Sequence, residues 1–178
     1  MTLPYKPVNI ESYNEIQIQL TEILSTITDT ITTTAYPVDE DFILNQVPRL
    51  REFLLTNNLV WDMARFFTTD LNDSVPIHTD GNEEYPKFLA LNLPLFGCDG
   101  SLMHWWDNVD LAYASSTYQY GKNIKMLDGP DKVITHSLEL STPHLVRIDL
   151  PHNVANLKDS PRAILSMRFK PEPLHLWY

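Results

Sequence analysis

Pro76-Ile77-His78-Thr79-Asp80-Gly81 lies near the middle of the 178-residue chain, and its reading governs the rest. In an extended strand, residues i and i+2 project from the same face. The His78 imidazole and the Asp80 carboxylate therefore converge on one point. That is the local half of a two-histidine, one-carboxylate facial site, which leaves positions open on a divalent iron for substrate and oxygen. The competing reading is a plain turn, because Asp-Gly is common turn punctuation. A second histidine in a suitable strand separates the two.

Leu150-Pro151-His152-Asn153-Val154-Ala155-Asn156 supplies a candidate. Ten residues past His152, Arg162 opens the segment Arg162-Ala-Ile-Leu-Ser166-Met-Arg168-Phe169, and the polar stretch 157–161 between them reads as a turn. Two strands joined by such a turn are expected side by side, with Arg162 near the sheet interior and close to His152. A guanidinium there offers a bidentate clamp for a carboxylate. On a strand, Arg162, Ile164, Ser166 and Arg168 share one face, and Ala163, Leu165, Met167 and Phe169 share the other. Ser166 is thus within reach of the same ligand. Arg168, farther along, is expected at a rim or in a surface pair.

Working outward, Ser12 and Glu15 have the spacing of a capping box. Ile16, Leu20, Ile23, Leu24 and Ile27 then recur at helical intervals, predicting an amphipathic helix up to about Thr30. Tyr36-Pro37 closes that region. A second helix is predicted from Pro48 to Thr56, with Leu50, Phe53 and Leu54 inward and Asn57-Asn58 as the stop. From Leu59 the composition turns to strand formers broken by Gly, Pro, Asn and Asp. Candidate strands are 59–68, 75–79, 87–95, 101–106, 131–140, 144–150 and 162–170. Pro94 belongs at a strand end or edge, since it donates no ladder bond. The polar segment 107–129 reads as a long irregular excursion, of the kind that forms lids or binding loops. The expected class is α+β, mainly β, with a closed or sandwiched antiparallel sheet. A single domain is expected over 1–178: helical support in 1–58, the β core in 59–170 and a tail at 171–178.

Composition narrows the function classes. Apolar residues at 43% and aromatics at 11% fit a packed globular chain. One cysteine, Cys98, excludes an internal disulfide framework and is compatible with a reducing, cytoplasmic setting. The stretch 1–10 has no continuous apolar core, so no signal peptide is expected, and no apolar run has membrane-spanning length. A net charge of −10, from 23 acidic and 13 basic residues, argues against nucleic-acid and anionic-membrane partners. It leaves a small anionic ligand possible, since one or two local arginines decide that.

The order His78, Asp80, His152, Arg162 resembles the iron(II)- and 2-oxoglutarate-dependent oxygenases, whose pattern is His-x-Asp/Glu, a distant His, then an Arg about ten residues on. The likeness covers roughly residues 59–170 and is nearest to small microbial and phage members. It includes the asparagine-bearing strand Ala90-Leu-Asn92-Leu-Pro94-Leu. The resemblance implies a double-stranded β-helix, a jelly-roll or cupin-like barrel with the metal at one mouth. It also implies Fe(II) bound by His78, Asp80 and His152, and the distal carboxylate of 2-oxoglutarate held by Arg162, with Ser166 and Asn92 assisting. Dioxygen would be the oxidant, succinate and CO2 the co-products, and hydroxylation of a small-molecule or peptidyl substrate the usual outcome.

Two other function classes fit the same residues. One is a catalytically silent β-helix that serves as a binding module. The other is a cupin-like metalloprotein using zinc or manganese without a co-substrate, although such sites usually draw on more than two histidines. His104, in Met103-His104-Trp105-Trp106, has no partner at ligand spacing; nor do His136, His144 and His175. Each is expected to be structural, with His104 and Trp105 the nearest to a substrate-lining role. Trp61, Phe66 and Phe67 read as core. Cys98 falls in an expected hairpin turn and makes a poor nucleophile. Tyr113, Tyr118 and Tyr120 name no substrate.

Overall fold

A computed structural model describes residues 3–29, 32–80, 88–119 and 122–178, and within 111–125 only the path of the backbone. Gly81, residue 87 at the head of the 87–95 strand, Thr30 and Tyr120 lie outside the described residues. In chain order, β1 (Tyr5–Pro7) and α1 (Tyr13–Ile27) precede β2 (Thr34–Pro37), α2 (Glu40–Gln46) and α3 (Pro48–Thr56). Next come β3 (Trp61–Thr69), β4 (Asp73–Ser74), β5 (His78–Thr79), β6 (Leu89–Phe96) and β7 (Ser101–Asp107). A hairpin of β8 (Asp110–Gln119) and β9 (Lys122–Asp128) follows. The chain closes with β10 (Val133–Glu139), β11 (His144–Arg147), β12 (His152–Asn156), β13 (Arg162–Phe169) and α4 (Leu174–Trp177). No described helix is long and apolar enough to cross a membrane.

The strands form two antiparallel sheets. The major sheet runs β1-β11-β6-β13-β3-β2, and the minor sheet runs β10-β7-β12-β5-β9-β8 with β4 added on β12. The chain passes between sheets at β3 to β4, β6 to β7, β10 to β11, β11 to β12 and β12 to β13. This alternation is a double-stranded β-helix.

Every residue of β13 is buried, and the two faces of the strand serve different cores. Ala163, Leu165, Met167 and Phe169 pack under the helices against Ile16, Leu20, Leu24, Ile43, Leu50 and Leu54. Each fully buried leucine or phenylalanine there contributes about 1.5–3 kcal/mol of apolar burial. The opposite face carries Ile164 into a cluster between the sheets with Ala90, Met103, Trp105, Leu138, Val146 and Ile148. The barrel is thus apolar at its middle. Its polar side chains collect where the function is expected.

Several expectations change. Ser12 has φ 56 and its side chain makes no capping bond; the Ser12 carbonyl alone accepts from the Glu15 N–H at 3.0 Å. The helix ends at Ile27, which is exposed, while the Pro48–Thr56 helix stands as expected. Asp39 caps α2, which the apolar spacing did not announce. β12 and β13 do not lie side by side, because each belongs to a different sheet. Pro94 sits inside the central strand β6, tolerated because the β6–β13 register shifts between Ala163 and Ile164. Its carbonyl is used instead, accepting from the Tyr13 hydroxyl and from Gln17 Nε2. Within 107–129, β8 and β9 pair antiparallel, with a register shift between Asp110 and Ser115, and β9 extends the minor sheet.

Candidate metal centre

β5 is two residues long, and neighbours hold it on both sides. His78 is paired in register with His152 of β12 and with Met126 of β9. The Leu127 N–H donates to the Ile77 carbonyl and the Asp80 N–H to the Ile148 carbonyl, both at 2.8 Å. Directly opposed residues on neighbouring strands project to the same face. The two imidazoles accordingly meet, with ring centroids 4.5 Å apart. Asp80 follows within two residues, and one ligand atom from each of His78, Asp80 and His152 lies within 4.8 Å of the others. The sequence triplet and the distant histidine are brought together.

Hydrogen bonding fixes which nitrogen of each ring faces the centre. Nδ1 of His78 lies 2.8 Å from the Pro76 carbonyl, and Nδ1 of His152 lies 2.8 Å from the Leu150 carbonyl. A carbonyl only accepts, so each Nδ1 carries the proton and each Nε2 keeps its lone pair. The Nε2 of His78 is 3.6 Å from Asp80 Oδ1. Burial, helped by the neighbouring His78, pushes His152 down to about 4, so its ring is neutral at physiological pH. For Asp80, burial favours the neutral acid, but Arg168, then His78 and His152, outweigh it. The carboxyl is held well below the usual carboxylate range. Two imidazole nitrogens and one carboxylate form a donor set that suits a divalent first-row ion.

Arg168 is where the structure departs most from expectation. It is buried rather than at a rim, and its Nη2 donates to Asp80 Oδ2 at 2.6 Å. Its Nη1 donates to Ser166 Oγ at 2.6 Å, and the Ser166 hydroxyl donates in turn to Asn92 Oδ1. Ser166 and Asn92 are directly opposed across β13 and β6, so this chain of contacts is built into the sheet register. The same register line continues to Arg65 on β3 and His144 on β11. His144 is buried, with Nδ1 bound to the Thr142 carbonyl at 2.7 Å.

Arg162 starts β13, six residues before Arg168 and on the same face. It is 4% exposed, and no carboxylate among the described residues pairs with it. Its Nε is buried without a hydrogen-bond partner. Burial lowers its pKa, partly countered by Cys98 beside it. Cys98 connects β6 to β7 across the two sheets rather than turning a hairpin, and burial raises its thiol pKa. Gly97 secures this end of the barrel. It has φ +64, and a Cβ there would stand 2.1 Å from the Pro161 carbonyl oxygen.

The remaining candidates lie elsewhere. His104 bonds Ser137 Oγ at 2.8 Å on the outer face of the minor sheet, beside Trp106, whereas Trp105 points inward. His175 Nε2 bonds the Asn57 carbonyl at 2.8 Å. Alternation along β13 already put Arg168 on the Arg162 face. What no pattern supplied was the distance down the barrel to Asp80.

No protein-family model matches the chain, and no curated protein matches its sequence. Solved structures do resemble its fold. A prolyl-4-hydroxylase from Pseudomonas putida superposes with TM-score 0.55 at 13% identity, over 94% of this chain and 92% of that one. EvdO2 from Micromonospora carbonacea var. aurantiaca, complexed with 2-oxoglutarate, gives TM-score 0.56 at 12% identity over 93% and 86%. HygX from Streptomyces hygroscopicus, with nickel and 2-oxoglutarate bound, gives 0.52 at 12% over 93% and 82%. At such identities the likeness establishes the shared double-stranded β-helix.

Proposed function

We propose that this chain is a non-haem iron(II)- and 2-oxoglutarate-dependent oxygenase that hydroxylates a small-molecule or peptidyl substrate. The observation that carries the reading is a complementary pair of features inside one barrel. His78, Asp80 and His152 offer three convergent ligand atoms, and Arg162 is a buried cation with an unpartnered Nε and no carboxylate paired with it among the described residues. A buried, unpaired charge is costly, and a dicarboxylate that reaches the metal with one end and Arg162 with the other would relieve that cost. Fold neighbours solved with 2-oxoglutarate bound support the same assignment.

In this reading His78 Nε2, Asp80 Oδ1 and His152 Nε2 hold the iron. Arg162 receives the distal carboxylate through paired charge-assisted hydrogen bonds. Ser166 and Asn92, bonded to each other across β13 and β6, would assist in holding the co-substrate. When bound, iron and 2-oxoglutarate supply the oxidative chemistry, consuming dioxygen and yielding succinate and CO2. The protein keeps both imidazoles in one tautomer, keeps Asp80 ionised, and encloses the reacting centre between two sheets. The proposal leaves the silent-module and cupin alternatives with distinct signatures.

Anaerobic calorimetry and absorbance test it. Fe(II) should bind first, and 2-oxoglutarate should then bind with a visible charge-transfer band. His78→Ala should remove metal binding; Arg162→Ala should spare the metal and remove 2-oxoglutarate binding. Protein that binds metal but no 2-oxoglutarate would favour the cupin-like reading. Protein that binds neither would leave only a binding module.

A further inference from the structure

We infer that Arg168 is a positioning residue that confines Asp80 to one-oxygen coordination and so sets how many positions on the metal stay open. The inference rests on the metal-binding part of the reading above and on no feature of the substrate.

A carboxylate can ligate a metal through one oxygen or both. In Asp80 the two oxygens already have separate surroundings. Oδ1 faces His78 Nε2 at 3.6 Å, while Oδ2 accepts from Arg168 Nη2 at 2.6 Å. A guanidinium bond of that length is charge-assisted, and the Arg168 side chain is only 6% exposed, so water competes poorly for it. Rotating Asp80 to present both oxygens to a metal would break this bond and strand a buried cation.

Arg168 is itself held. Ser166 Oγ accepts from Arg168 Nη1 at 2.6 Å and spends its own hydroxyl hydrogen on Asn92 Oδ1. Donor and acceptor roles are therefore assigned at every link from Asn92 to Asp80, and no link reverses without leaving a buried group unpaired. The chain starts on β6, passes through β13 and ends on the carboxylate that follows β5. It thus positions a ligand of the minor sheet from the two central strands of the major sheet. Arg162 has no such duty, since it pairs with no carboxylate among the described residues.

Coordination number carries the consequence. Two imidazoles and one carboxylate oxygen leave three of six octahedral positions open, enough for a chelating 2-oxo acid and one further ligand. A carboxylate binding through both oxygens would leave two, which a chelating 2-oxo acid would fill, with none left for a further ligand.

The test uses Co(II)-loaded protein without turnover, because visible Co(II) bands report coordination number and geometry directly. The comparison is wild type with Arg168→Met, and with Arg168→Lys, which keeps the charge but loses the forked donor. Melting of the metal-free proteins reports folding, and Arg168→Lys is read alone should Arg168→Met not fold. The folded variant should show changed Co(II) bands and a 10–100-fold weaker affinity for Co(II), the range typical for lost outer partners of metal ligands. Wild-type Co(II) bands and unchanged Co(II) affinity in a folded variant would overturn the inference. Failure of the wild type to bind Co(II) would instead overturn the metal site itself.

Discussion

Replacing Arg162 by methionine should push stability and ligand binding in opposite directions. Arg162 is 4% exposed with a buried, partnerless Nε and no acidic neighbour among the described residues. An unpaired buried donor costs about 1–3 kcal/mol, more when charged. Exchanging it for an apolar side chain of similar length is often stabilising by about 1–4 kcal/mol. Metal-free Arg162→Met is therefore expected to be more stable than wild type by about 1–3 kcal/mol. For a chain of this size each kcal/mol raises Tm by roughly 2–4 °C. The same change removes the partner of the distal carboxylate. Losing one member of a buried charge pair costs about 2–5 kcal/mol of binding, a loss of roughly 30-fold to several thousand-fold in affinity. Melting with Mn(II) under anaerobic conditions, across a 2-oxoglutarate series, reads both effects. At 100 times its own Kd, wild type gains about 2.7 kcal/mol, and the variant at that concentration gains about 0.9 kcal/mol on the low estimate of a roughly 30-fold loss and nothing measurable on the high one. The two Tm curves should cross as 2-oxoglutarate rises. If the variant melts below wild type without ligand and tracks it with ligand, Arg162 is a structural residue and the clamp argument fails.

Stability should also fall with acid in a defined window. The folded pKa of His152, about 4, lies below the ordinary histidine value of 6.5, so the unfolded chain takes up that proton first. The associated stability is present above pH 6.5 and is lost as pH falls to about 4, up to roughly 3 kcal/mol. The depressed Asp80 carboxyl extends the loss further into acid. Urea midpoints of metal-free protein between pH 7.5 and 4 should decline, and His152→Gln should flatten the decline; a rise with acid would contradict the burial argument. Gly97→Ala meets a backbone oxygen at 2.1 Å and a left-handed φ of +64, so neither can relax cheaply. It should cost more than about 2 kcal/mol and weaken 2-oxoglutarate binding, because the obstructed atoms begin β13. A urea midpoint equal to wild type would contradict this.

Much of the fold was legible because burial and alternation are local properties. The strand-rich half and the Pro48–Thr56 helix follow directly from spacing, and His78, Asp80 and His152 meet as their strand contexts implied. The errors share a cause. Pairing β12 with β13, placing Arg168 at a rim and leaving Pro94 at a strand end all required knowing which sheet each strand joins. A turn of polar residues looks the same whether its strands are neighbours or face each other across a barrel. Segment 107–129 failed for another reason. Its serines, tyrosines and asparagines carry little apolar alternation, and its pairing is carried by the backbone ladder of β8 and β9. Ser12 shows the limit of cap motifs, since a left-handed φ turns its hydroxyl away from the bond the spacing promised.

The two-residue strand β5 ties the hairpin to the metal. On one side β5 pairs with β12, which bears His152; on the other it pairs with β9, the return strand of the hairpin. The return strand of the hairpin thus braces His78 from the side opposite His152. Any change that loosens β9 would be felt at His78, and through it by the ion that the triad would hold.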